Sequence, residues 1–145
     1  MRTRYQLLSD SVAAACSSQK EQLVSSTRLR LARPVAIRLL RNSRTMLERR
    51  ITRFAQRKYL CKRTSIRFHW TRQLRLLSNA QAATLDDNTW GETDGASITI
   101  NDATPMTWER LVCTLVHEAL HNVAHVRGKC ISCDNEHALM RGLGL

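Results

Sequence analysis

The stretch that decides how this chain is read runs from Leu111 to Val126, LVCTLVHEALHNVAHV, and holds His117-Glu118-Ala119-Leu120-His121. On a helix, residues four apart lie one above the other, so His117 and His121 can present their ring nitrogens to one metal ion. Glu118 follows the first histidine, where its carboxylate can reach a water held beside that ion. Neutral imidazoles suit Zn²⁺, and a carboxylate in that place can accept the proton of the water as it attacks a carbonyl. Leu111, Val112, Leu115, Val116, Ala119, Leu120 and Val123 supply the apolar surface of a buried helix, while Thr114, His117, Glu118, His121 and His125 gather along one stripe. Thr107 is its expected N-cap, with Glu109 in the first turn, and Gly128 its expected end.

Two histidines do not complete a catalytic zinc site, which takes three protein ligands and a water. His125 would sit about 12 Å along the helix from His117, too far for one ion. A turn at Gly128 would instead bring back Glu136 or His137, at the start of a second short helix from about Asp134 to Gly142. Only one of these neighbours is expected to ligate, the other orienting a histidine through its second ring nitrogen. Cys130 and Cys133 form a C-x-x-C that can belong to a structural zinc or a redox pair, but no second pair completes a four-cysteine cage. Two ordinary free cysteines are the expectation there.

The 145 residues suffice for one domain with a real core. Formal net charge is +11 and unevenly spread: residues 1–75 carry 19 Lys and Arg against 3 Asp and Glu, and residues 76–145 carry 4 against 9. Such asymmetry suggests a basic arm or face for nucleic acid or another polyanion, attached to a catalytic half of different character. From Thr27 to Tyr59, Leu29, Leu31, Val35, Leu39, Leu40, Leu47, Ile51 and Phe54 recur at helical spacing, with Pro34 expected to mark a start or a break and arginines at 38, 41, 44, 49, 50, 53 and 57 on the other face. Residues 1–60 are therefore read as a basic segment, helical or partly disordered, and residues 61–145 as the catalytic domain.

Ser65 to Trp70 alternates as a strand, Thr71 to Leu85 is ambiguous, and Ala96 to Asn101 is a second alternating strand. No signal-peptide core and no apolar run of membrane-spanning length occurs in the sequence, so an intracellular setting is expected, cytoplasmic or nuclear, with organelle targeting left open by the Arg- and Ser-rich tract from Gln22 to Leu47.

With these residues in view, positions 66–142 resemble the SprT-like branch of the zincin metallopeptidases. The resemblance runs through the strand ending at Trp70, the glycine-punctuated segment from Trp90 to Asn101, the tract from Thr114 to His121, and His137 downstream. It implies an α+β fold, a minimal zincin-like domain with a short sheet and an HExxH helix, preceded here by the basic segment. It implies a zinc-dependent peptidase with His117 and His121 as ligands, Glu118 as general base and His137 as third ligand. It further implies that Ser97, Ile98, Thr99, Ile100 and Asn101 form an edge strand along which an extended substrate pairs. Ala138 follows His137 where the family usually has glycine, which keeps Glu136 in contention. Two other classes fit the same residues: a non-enzymatic basic nucleic-acid-binding protein with a structural zinc, and a catalytically silent adaptor of zincin fold.

Overall fold

A long basic helix is the spine of the molecule. The computed structural model of the chain describes residues 20–131, and in it helix α1 spans Ser26–Tyr59. The Ser25 side chain caps its start by accepting from the Arg28 amide at 3.1 Å. Leu60, in the left-handed region at φ 47°, stops it. Leu29, Ala32, Ala36, Leu39, Leu40, Leu47, Ile51 and Ala55 are buried at three- and four-residue steps, and the three alanines let a neighbouring helix come close. Pro34 lies inside this helix and neither starts nor breaks it. Its ring is on the solvent side, and its local cost is a missing backbone bond and crowding against the carbonyl four residues back.

After a 3-10 turn at Arg63–Ser65, strand β1 (Ile66–Phe68) leads directly into helix α2 (Trp70–Ser78). Helix α2 takes the first part of the ambiguous tract and removes Trp70 from the expected strand, while a short strand at Gln81–Ala83 takes part of the rest. Strands β2 (Gln81–Ala83), β3 (Gly91–Thr93) and β4 (Ile98–Asn101) follow, then helix α3 (Trp108–Leu120) and strands β5 (Ala124–Val126) and β6 (Lys129–Cys130). One sheet has the order β1-β5-β6, all antiparallel. The other has β4 in the middle, parallel to β2 and antiparallel to β3. The architecture is mixed α+β.

Helix α3 begins as expected, with the Thr107 side chain accepting from the Arg110 amide at 3.1 Å. It ends earlier than the apolar pattern implies. His121 is already extended, and Asn122 takes the left-handed region at φ 61°, so the chain turns and Ala124–Val126 becomes a strand. Arg127 and Gly128, both at positive φ, then form the two-residue turn of the β5–β6 hairpin. Gly128 is thus a hairpin residue and not a helix end. The buried stripe of α1 joins Leu111, Leu115, Ala119, Ile98, Ile100, Leu77 and Val123 in one hydrophobic core. Among the described residues no helix is long and apolar enough to cross a membrane.

Candidate metal centre

Helix α3 buries Leu111, Val112, Leu115, Val116, Ala119 and Leu120 in the core. That fixes its rotation and leaves the remaining stripe to line a cleft of about 650 Å³. In this cleft the imidazoles of His117 and His121 stand 5.1 Å apart between ring centroids. The Glu118 carboxylate Oε2 is 3.7 Å from His121 Nε2. One donor atom from each of the three residues lies within 4.8 Å of the others, the one such group of metal-ligating side chains among the described residues. Glu118 is only 7% exposed, and a carboxylate buried that far needs a positive partner or a proton.

The donor set suits zinc. Imidazole nitrogens are among its usual ligands, with a carboxylate beside them to act on bound water, and the group gathers at the C-terminal end of α3, where the helix dipole favours a cation. Glu136 and His137, the candidates for a third ligand, lie outside the described residues, as does the expected second helix. His125 is not part of this cleft, because the early end of α3 puts it on β5.

A side chain that the sequence reading missed holds the end of the metal helix. Gln73, 1% exposed on α2, donates from Nε2 to the carbonyls of Ala119 at 2.8 Å and His121 at 2.6 Å. These are backbone acceptors that a helix terminus leaves without intrahelical donors. The signal was a polar residue on the buried stripe of an amphipathic helix, Trp70, Gln73, Leu76 and Leu77.

The other wall of the cleft is β3. Gly91 packs so closely on α3 that a side-chain carbon there would lie 2.9 Å from Thr114 Cγ2. Thr114 has its hydroxyl bound to the Arg110 carbonyl at 2.7 Å, leaving the methyl free to meet the strand. At the rim, Arg110 lies over the ring of the partly exposed Trp90, 5.4 Å from its centroid.

This geometry corrects the expected substrate strand. Ser97 to Asn101 does not form a sheet edge: Ile98, Thr99, Ile100 and Asn101 make up the central strand, whose backbone groups are taken by β2 and β3, and Ser97 precedes it. Asn101 is fully buried, and its amide is spent internally. It donates to the carbonyls of Asp86 and Thr89 and to Thr104 Oγ1, and it accepts from the amides of Leu85 and Ala103. Asn101 therefore pins the loop that delivers Asn88, Thr89 and Trp90 to the cleft. The edge facing the histidines is Gly91–Thr93. Cys130 is disulfide-bonded, not the ordinary free thiol expected; Cys61 and Cys113 are not disulfide-bonded.

Compared with known proteins, the chain matches no family model, no curated protein and no solved structure.

Proposed function

We propose that the chain is a zinc-dependent metallopeptidase of the SprT-like zincin kind, hydrolysing peptide bonds in the cleft between α3 and β3. One observation carries this reading: His117, Glu118 and His121 converge in a cleft whose opposite wall is a strand edge. His117 and His121 would hold the zinc together with Glu136 or His137. When bound, the ion supplies Lewis acidity for a scissile carbonyl and for a water molecule. Glu118 is the general base: its buried carboxylate takes a proton from the attacking water and returns it to the departing amine. An extended peptide pairs its backbone with the outer edge of β3. The absence of a side chain at Gly91 keeps that edge tight on α3.

The arginines of α1 serve a second purpose in this reading. Arg30, Arg38, Arg41, Arg49 and Arg53 are exposed, and we assign them to a polyanion such as nucleic acid, so that the peptidase acts on proteins associated with it. The rival reading, a structural zinc held at Cys130 and Cys133, is weakened because a disulfide-bonded Cys130 offers no thiolate.

The deciding experiment is elemental analysis of the purified chain beside its His117→Ala variant. About one zinc per chain in the parent and none in the variant is the expected result for a single catalytic site. Equal zinc in both would overturn the assignment of the site.

A further inference from the structure

The outer face of the β1-β5-β6 sheet carries a pattern that the metal centre does not use. Ser65, Arg67 and His69 alternate outward on and beside β1, and His125 and Arg127 alternate outward on and beside β5. The antiparallel register sets Arg67 opposite His125, and His69 is tied into the same corner by its amide, which donates to the Val123 carbonyl at 2.8 Å. The two imidazoles meet edge to face, 4.9 Å between centroids. Arg72 leans in from the first turn of α2. Its guanidinium is fixed by a hydrogen bond from Nη2 to the Gly95 carbonyl. Arg67, His69, Arg72, His125 and Arg127 together line a cleft of about 500 Å³, and no acidic side chain of the described residues lines it.

Three arginines from three places in the chain line one cleft with two half-buried imidazoles, and cationic groups gathered in this way favour an anion. A cation is the wrong guest, since no carboxylate or thiolate faces the histidines and the arginines oppose it. A carboxylate would satisfy one guanidinium. Three arginines and two imidazoles lining one cleft supply enough donors for a tetrahedral oxyanion with several acceptor oxygens.

We infer that the cleft between Arg67, His69, Arg72, His125 and Arg127 is a binding site for a phosphate group. It stands independently of the zinc assignment. The phosphate belongs either to a free ion or to the backbone of a polynucleotide, and the same recognition chemistry serves both.

The test titrates the intact chain with inorganic phosphate, following the imidazole resonances of His69 and His125. It then repeats the titration on the double variant Arg67→Ser, Arg127→Ser. Both arginines are exposed, so their removal leaves the core intact. Saturable shifts are expected in the parent, weakened about tenfold or more in the variant, the effect of losing charge-assisted hydrogen bonds to an ion. A control that removes equal charge from α1, Arg38→Ser with Arg53→Ser, should change the affinity for inorganic phosphate less than about twofold, since neither residue lines the cleft and exposed charges are screened. The His117→Ala variant should bind phosphate as the parent does, which separates the cleft from any ion at the metal centre. A labelled single-stranded DNA identifies the source. If it is displaced by phosphate and weakened by the cleft variant, the site takes a polynucleotide backbone; if it is indifferent to both while phosphate binding is lost in the variant, the site takes a free ion. No saturable phosphate binding, or equal weakening by the α1 control, would overturn the inference.

Discussion

Gln73 reaches across from α2 to hold His121 by its backbone, Nε2 to carbonyl oxygen at 2.6 Å, while the same nitrogen takes the Ala119 carbonyl. This sets the end of α3 through its backbone carbonyls. Gln73→Leu keeps the bulk and removes the donor, so two carbonyls lose their partner. The expected cost is about 1–3 kcal/mol of stability and a loss of roughly tenfold or more in zinc affinity. Thermal melts and titration against a zinc chelator measure the two separately. Unchanged zinc affinity in a destabilised variant would reduce Gln73 to a purely structural role.

Glu118→Gln keeps the shape of the side chain and removes its ability to accept a proton. Zinc content should stay at the parent value while peptide hydrolysis falls by about 10²–10⁴-fold, the usual range for a lost general base. Elemental analysis and turnover of an unfolded protein substrate, run on the same preparation, are the readouts. Activity within a few-fold of the parent would remove Glu118 from the proposed chemistry.

Gly91 and Thr114 form a coupled pair. Gly91→Ala forces its new carbon against Thr114 Cγ2 and should cost about 1–3 kcal/mol, as overpacking does. Thr114→Ser deletes that methyl and keeps the hydroxyl that binds Arg110, so the double variant should recover part of the loss. The rescue is partial because Ile100 Cδ1 and the Thr99 carbonyl are each 3.1 Å away. Chemical denaturation of the four chains closes the cycle. Additive losses would mean that the strand does not rest on this contact.

Much of this was legible in the sequence, and what was not has physical causes. The apolar periodicity of α1 and α3, the Thr107 cap and the alternation from Ile98 to Asn101 are local signals, and each names its element. The pairing of strands is not local. Nothing in Ser97 to Asn101 says whether it lies at an edge or in the middle, because that depends on Gln81–Ala83, a three-residue strand too short to show alternation. The end of α3 was hidden for a similar reason: Val123, Ala124 and Val126 continue an apolar pattern that a helix and a short buried strand share. Asn122 at positive φ and the Gln73 bonds decide between them. With the helix ended, His125 moves to a different face from His117. Glu136 and His137, the two candidates for a third ligand, both lie outside the described residues.

His69 and His125 give the protein a sign-definite response to acid. Burial is the main cause that lowers the pKa of each; Arg72 and then Arg67 add to it for His69, and His69 and then Arg72 for His125. Arg127 faces the same cleft. A histidine whose pKa is lower in the folded state contributes stability that is complete above its unfolded value, 6.5, and is lost as pH falls from there through the folded value. The melting temperature should therefore drop between about pH 7 and pH 5, less steeply in His125→Asn, and less steeply for the parent in saturating phosphate. Parallel melting curves for parent and variant across that range would show that these imidazoles do not sense the arginines around them.

Glu48 is the sole acid within the 34 residues of α1, which hold eleven Arg and Lys. It is already engaged, accepting from Arg44 Nε and Trp70 Nε1. The helix therefore has almost no counter-charge of its own, and its cations repel along its length. Dissolved ions screen that repulsion over about 8 Å at physiological ionic strength. Rising salt should therefore ease the repulsion within α1 and make the helix firmer.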